Sequence, residues 1–493
     1  MQSFVAIFFS KYMLKDYLCE QICAALGFFP TKDQELAIQM LSDFALSDDE
    51  RSCMLIKGFA GTGKTSLTGA FVKVMEQAGH QCVLMAPTGR AAKVMSVLSG
   101  HQAYTIHRKI YRQDSADYNS SFSLNFNKNR KTIFIVDEAS MIANIDSGVS
   151  MYGSGRLLDD LVEFVYGSKG CRLIFVGDTA QLPPVGESLS PAMNASFLES
   201  YMLHVSEVCL RDVVRQDSMS GILLNATNIR NFIDDGDTFS LPSLRLKGHG
   251  DVCSVPGNEL IEELASAYSR AGVDDTIVVT RSNKRANIYN RGIRAQILGR
   301  EEELESGDML MVAKNNYFWT ERECDENGRK VSPVDFIANG DILRVERVRN
   351  FRELYGFRFA TCTLSMPDYD DYEMEMDVIL DTLHTETPSL SQTELDKLSE
   401  RVLEDYPELT NKKDKMKMLK ENNYFNALQI KYAYAVTCHK AQGGQWSRVF
   451  VDQGYVTDEM MGADYYRWLY TAITRASEKL YLVNWPENQV QDE

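Results

Sequence analysis

No stretch of these 493 residues approaches the roughly 18 consecutive apolar positions needed to cross a bilayer. The N-terminal run from Phe4 to Phe9 is followed by Lys11, Lys15 and Asp16, and reads as the buried face of a first helix rather than a signal peptide. The ten cysteines include no C-x-x-C pair. Neither a zinc ribbon nor a disulfide framework is therefore supported, and a reducing cytoplasm is the expected setting. No internal repeat is evident. Positive charge is also short. A net charge of −17 argues at first against a polyanionic partner. Its distribution softens that, because residues 366–410 hold 14 Asp/Glu against 2 Lys/Arg and the remainder is close to neutral. Two local basic patches can hold a phosphate backbone: Arg108, Lys109, Arg112, Lys128, Arg130 and Lys131, and then Lys412, Lys413, Lys415, Lys417 and Lys420.

What the chain does have is a series of short β-rich apolar runs between helical stretches. They are CMLIK (53–57), CVLMA (82–86), TIFIVD (132–137), RLIFVG (172–177), TIVVT (276–280), RVFVD (448–452) and KLYLV (479–483). Nearly continuous apolar strands alternating with helices mark α/β parallel sheets covered on both faces. Four fall before residue 180 and three after 275, which predicts two α/β lobes. Two segments interrupt them. In SFSLNFNKN, within 108–131, Phe122, Leu124 and Phe126 alternate with polar residues and predict a small hairpin. Segments of 305–383, with a turn signal at Asn339-Gly340, predict a short antiparallel barrel. An acidic, helical excursion follows it.

GFAGTGKTS (58–66) follows a predicted strand and opens a helix, the context that makes G-x-x-x-x-G-K-[ST] a phosphate loop. Gly58, Gly61 and Gly63 let the backbone approach oxygens closely, and the N–H groups running through Thr62 to Ser66 form an anion nest. Lys64 is placed to reach the β- and γ-phosphates, and Thr65 to ligate Mg²⁺. Asp137 and Glu138 end the strand TIFIVD, where Asp137 can hold Mg²⁺ and Glu138 can take a proton from the attacking water. Gln181, beside Pro183 and Pro184, suits orienting that water, although a glutamine on a rigid turn is the plain reading of the stretch alone. Arg215 and Arg475 offer positive charge to a transferring phosphoryl group, with surface salt bridges as the plain reading of each.

The set GFAGTGKTS, APTGRAA, DEASM, GDTAQLPPV, VRQ, YAVTCHKAQGGQ and LYTAITRAS, in this order, resembles the superfamily 1B DNA helicases of the RecD-like and Dda-like branch. The resemblance implies two RecA-like lobes, ATP and Mg²⁺ as cofactors, and 5′-to-3′ movement on single-stranded DNA with unwinding of duplex. It implies that Gln34 reads the adenine edge. It also implies that Pro87, Thr88, Thr105, His107, Thr437 and His439 contact the strand, while Gln442 and Gly443 link strand to nucleotide. Outside this context both histidines read as structural. Relatives often carry Glu where Gln445 stands, and no nuclease cluster is recognisable. The expected organisation is a first lobe over 1–107 and 132–205, a pin-like hairpin over 108–131, a second lobe over 206–304 and 426–493, and the accessory barrel over 305–425. Phe126 is the expected strand-separating tip, against the plain reading that Phe122 and Phe126 both pin the hairpin to its lobe. A monomeric motor is expected, with duplex junctions as substrate and replication or recombination proteins as partners. An RNA-directed remodeller and a non-unwinding ATP-gated clamp stay open as alternatives.

Overall fold

The computed structural model describes residues 2–113, 122–145, 153–213, 220–238, 241–322, 332, 334 and 336–491. They fall into two compact units, one drawn from residues up to 213 and one from 220 onward.

In the first unit, α1 (Gln2–Leu26) and α2 (Lys32–Leu46) precede β1 (Ser52–Gly58). Helix and strand then alternate through α3 (Lys64–Gln77), β2 (Gln81–Ala86), α4 (Gly89–Ser99), β3 (Ala103–Thr105) and α5 (Ile106–Ile110). A hairpin follows, β4 (Tyr111–Gln113) antiparallel to β5 (Phe122–Leu124). The chain returns through β6 (Thr132–Val136), α6 (Leu157–Tyr166), β7 (Arg172–Gly177), α7 (Ala195–Glu199) and β8 (His204–Leu210). The six longer-range strands form one parallel sheet in the order β3-β2-β6-β7-β1-β8. Alternate residues of β1 explain why its run is apolar throughout. Met54 and Ile56 join a core with Ile38, Leu41, Leu67 and Phe71, whereas Cys53 and Leu55 join one with Leu158, Leu161 and Phe164. Arg172 closes the carboxyl end of α2 by donating to the carbonyls of Phe44, of Ala45 at 3.2 Å and of Ser47 at 3.1 Å.

The second unit runs through α8 (Gly221–Asp235), β9 (Leu244–Arg245), β10 (Val252–Val255), α9 (Leu260–Ala271), β11 (Thr276–Thr280) and α10 (Asn283–Gly292). A closed barrel is inserted there, from β12 (Met309–Val312) and α11 (Phe318–Arg322) to β13 (Ile342–Leu354), β14 (Phe357–Met366) and β15 (Tyr372–Ile379). The helices α12 (Gln392–Leu403) and α13 (Lys412–Glu421) precede its last strand, β16 (Leu428–Tyr432). The chain then completes its sheet with β17 (Ala435–Thr437), α14 (Cys438–Ala441), β18 (Trp446–Asp452), α15 (Ala463–Ile473) and β19 (Ala476–Val483), and β20 (Val490–Gln491) pairs with β9. The order is β10-β19-β18-β11-β17, all parallel.

The α/β class, the two parallel sheets, the hairpin and the barrel are as the sequence predicts, and all seven apolar runs are strands. Two boundaries and one strand pairing differ. The expected lobe boundary at 205 falls inside β8, which pairs along its length with β1 and so belongs to the first sheet. The barrel runs past 425, because β16 closes it by pairing antiparallel with β12. Its pairing with β15 is parallel, so the barrel is not wholly antiparallel. All nine described cysteines are free thiols. No helix among the described residues is long and apolar enough to cross a membrane.

Candidate functional site

β1 delivers the chain into the phosphate loop, where Gly61 and Gly63 adopt φ of +77° and +76°. A side chain is strained there, and glycine is the residue that fits. Gly58 is held to glycine by space instead. A Cβ on it would meet Lys64 Cγ and Thr62 Oγ1, each at 2.9 Å. The loop is tied down from inside. Thr62 Oγ1 donates to the Phe59 carbonyl at 2.8 Å, and Lys64 Nζ donates to the same carbonyl at 3.0 Å. Ser66 is exposed in the first turn of α3.

Gln34 is fully buried and holds this loop to α2. Its Nε2 donates to the Thr62 carbonyl at 3.0 Å, and its Oε1 accepts from the Thr31 amide at 3.1 Å in a reciprocal cap. Both ends of the amide are thereby engaged within the protein. One N–H and one lone pair of the amide stay unused by these two bonds, and the expected reading of an adenine edge would use them. Asp33, its neighbour, accepts from the amides of Arg211 at 2.7 Å and Asp212 at 3.2 Å, which anchors the segment leaving β8.

At the end of β6, Asp137 Oδ2 lies 3.4 Å from Thr65 Oγ1. Burial pushes the Asp137 carboxyl above its ordinary range, opposed by the Glu138 amide, the Lys64 charge and the Thr65 hydroxyl. A carboxylate and a hydroxyl converging where negative charge is disfavoured suit a hard cation such as Mg²⁺. Glu138 has φ of +51°, uncommon for a residue with a side chain, and its amide donates to Asp137 Oδ1 at 2.8 Å. Gln181 is buried on a turn held by Asp178, whose carboxylate accepts from the Ala180 amide at 3.0 Å. The buried Gln181 Oε1 has no hydrogen-bond partner among the described residues. Such an acceptor is costly to bury unless a ligand or water satisfies it.

Of the residues expected to touch a strand, Thr88 and Thr105 are helix caps. Their hydroxyls accept from the amides of Ala91 and Arg108, each at 3.2 Å. Burial pushes the His107 imidazole down to about 4, so it is neutral at pH 7 and contributes no charge to a phosphate. Pro87 is half-buried. The first basic patch is interleaved with rings: Arg108 and Lys109 lie 5.6 and 5.1 Å from the Tyr104 centroid, and Arg112 lies 4.9 Å from that of Phe126.

The hairpin corrects one expectation. Phe122 packs against the first unit's core, while Phe126 is 71% exposed. The two are not on one strand, because β5 ends at Leu124 and the Asn125 side chain takes the Phe126 amide at 2.9 Å. The connection between β4 and β5 falls on 114–121, outside the described residues, so Phe126 stands at the root of the hairpin rather than at its tip.

In the second unit, Arg475 is buried. Its Nε donates to the Thr471 carbonyl at 3.0 Å, Nη1 to the Gly444 carbonyl at 3.1 Å and Nη2 to Thr474 Oγ1 at 3.2 Å. These partners are all neutral, so the guanidinium is fixed in place and has no ion-pair partner among the described residues. Gly444 follows Gln442, which is buried, and Gly443, at φ +73°, so the turn expected to link strand to nucleotide bears directly on Arg475. Thr437, ahead of α14, makes no side-chain cap, and His439 is exposed. Arg215 lies outside the described residues.

Residues 38–231 match the family model of an AAA domain, and residues 432–483 that of a UvrD-like helicase C-terminal domain. The ATP-dependent DNA helicase dda of Enterobacteria phage T4 is 26% identical over 305 residues, 60% of this chain, which thus spans 63% of that relative's length. An uncharacterized protein of Acanthamoeba polyphaga mimivirus is 22% identical over 92% of this chain and 99% of its own. The ATP-dependent RecD2 DNA helicase of Deinococcus radiodurans is 33% identical over 28% of this chain and 17% of its own. The structure of a Bacteroides Pif1 helicase with ADP-AlF3 and ssDNA superposes with a TM-score of 0.48 at 16% identity, covering 94% of this chain and 95% of that one. The phosphate loop thus lies inside the AAA-domain match and the buried Arg475 inside the UvrD-like helicase C-terminal match, and the chain is similar to helicases of the dda and RecD2 type, which together support a superfamily 1B helicase.

Proposed function

We propose that this chain is an ATP-dependent DNA helicase that moves 5′-to-3′ along a single strand and unwinds duplex as it goes. The observation that carries the reading is the Thr65–Asp137 pair, 3.4 Å apart beside Lys64 in the phosphate loop, supported by the buried Gln181 oxygen on the turn after β7, unpartnered among the described residues. Lys64 exchanges the Phe59 carbonyl for phosphate oxygens. Thr65 and Asp137 would hold Mg²⁺, which neutralises charge on the β- and γ-phosphate oxygens. Gln181 accepts a hydrogen bond from the attacking water and orients it, and Glu138 takes its proton. Arg475, rigidly held by neutral partners, supplies positive charge to the phosphoryl group in transfer. Gln34 keeps the loop in shape through Thr62. Thr437 and His439 contact the sugar–phosphate backbone without reading bases, and Phe126 with Arg112 offers a ring and a charge to an exposed base. The 5′-to-3′ direction rests on kinship alone.

One preparation tests this. ATP turnover is measured with DNA and with RNA oligonucleotides, and unwinding with duplexes tailed at the 5′ or the 3′ end. DNA-stimulated turnover and unwinding of only the 5′-tailed duplex are expected. Equal stimulation by RNA points to the remodeller, stimulated turnover without unwinding to the clamp, and unwinding from 3′ tails reverses the direction.

A further inference from the structure

Arg281 is the first residue after β11, whose Thr280 is in register with Thr437 at the end of β17. Ligands of parallel sheets gather outside the carboxyl ends of the strands, so Arg281 and the Thr437–His439 turn share that edge of the second unit. The Arg281 side chain is exposed, yet it is not loose. Its guanidinium carbon lies 5.6 Å from the Tyr465 ring centroid and 5.7 Å from that of Trp468. Those rings are stacked on each other with centroids 6.1 Å apart, and they are only 1% and 5% exposed. The shelf is fixed from behind, because the Tyr465 hydroxyl donates to Gln453 Oε1 at 2.7 Å. It is also joined to the strand motif, since the Cys438 thiol donates to the Trp468 carbonyl at 3.5 Å.

A guanidinium laid on aromatic faces keeps its charge and its edge N–H donors while losing little freedom when it binds. Arg281 has no ion-pair partner among the described residues that would compete for those donors. A planar, pre-oriented, unpaired cation at a strand-binding edge suits a phosphodiester, which takes two N–H donors side by side.

We propose that Arg281 contacts a backbone phosphate of the bound single strand, presented by the Tyr465–Trp468 shelf. This rests on the motor reading above, and the test separates the two. Binding of a fluorescein-labelled oligo-dT to the full chain is followed by anisotropy from about 50 to about 300 mM NaCl for wild type, Arg281→Ala and Arg281→Lys. Loss of one phosphate contact on a single strand reduces the slope of log affinity against log salt by about 0.7. Arg281→Ala is expected to show that loss with about tenfold weaker binding. Arg281→Lys is expected to keep the slope but bind more weakly, since an ammonium lacks the planar fork that the shelf orients. An unchanged slope and affinity in Arg281→Ala overturns the contact. Weaker binding at unchanged slope overturns it too, and indicates stacking on a base. Full rescue by lysine overturns the role of the shelf. A wild-type chain that binds oligo-dT without salt dependence overturns the motor reading itself, and this contact with it. A melting temperature within a few degrees of wild type confirms that an exposed side chain, and not the fold, was altered.

Discussion

In the first unit the groups proposed to meet a triphosphate are tied to one another. Lys64 and Thr62 share the Phe59 carbonyl, Thr65 faces Asp137, and Gln34 grips Thr62. In the second unit Arg475 is tied, among the described residues, to neutral oxygens of Thr471, Gly444 and Thr474. In the first arrangement Gln34 and Thr62 hold the loop in shape, while the bonds of Lys64 and Thr65 are exchangeable, and a phosphate or a cation can replace them at small cost. The second fixes a cation in geometry without cancelling it. A carboxylate partner would have stabilised Arg475 and taken away the charge it has to offer. One unit therefore stores a mouldable cradle and the other a rigid charge.

The largest effect that bears on this contrast is expected from Lys64→Ala. Turnover should fall to background while circular dichroism and melting stay near wild type, since only one exchangeable bond to Phe59 is lost. Wild-type-like turnover would dissolve the cradle. Next comes Arg475→Ala, with a fall in saturated turnover on the order of 10³-fold. Here stability should fall as well, by about 1–3 kcal/mol in urea unfolding, because the Gly444 carbonyl loses the Arg475 donor and the Thr471 carbonyl loses one of its two side-chain donors. Less than about tenfold in turnover would show that Arg475 is a structural cap alone. Smaller again is the hairpin pair. Phe122→Ala should cost about 2 kcal/mol, because its ring packs on the core. Phe126→Ala, at 71% exposure, should cost under about 0.5 kcal/mol. Equal losses would put Phe126 in the core.

The smallest net effect is expected from pH, because it moves the two units in opposite directions. His107 in the first unit is held near 4 by burial, against 6.5 in the open chain. Between those values the unfolded chain binds the extra proton, so the first unit loses stability as pH falls from 6.5 towards 4. Asp341 in the second unit is raised by burial to about 7 from 3.8. In that window the folded chain binds the extra proton, so acidification from 7 stabilises the second unit. Hydrogen exchange at pH 7 and pH 5 should show protection falling around α5 and rising around β13. His107→Gln and Asp341→Asn should each flatten the trend in its own unit and leave the other unchanged.

Much of this was legible in the sequence, because a buried parallel strand needs an apolar run and a phosphate loop needs its glycines. The strands that escaped notice are β3 and β17, three residues each, too short for any period to register. The sheet-edge strands β8 and β10, where apolar and polar residues mix, escaped it as well. The fifth barrel strand, LQIKY, carries no mark that says barrel rather than lobe. The alternation of Phe122, Leu124 and Phe126 misled because it continues past the point where Asn125 ends the strand. The engagement of Gln34 depends on a loop 28 residues away. The shelf under Arg281 needs two rings from a helix more than 180 residues downstream. Such long-range meetings leave no local pattern.

α15 carries the Tyr465–Trp468 shelf on its opening turns, and Arg475 lies two residues beyond its end. The two are therefore phased by a single helix. One alanine inserted between Trp468 and Thr471 would turn one end against the other by about 100° and lengthen the spacing by about 1.5 Å. Removing a residue would do the reverse. Each end could keep its own contacts while the two fell out of step, much as two gears on a cut and rejoined shaft still turn but no longer keep time.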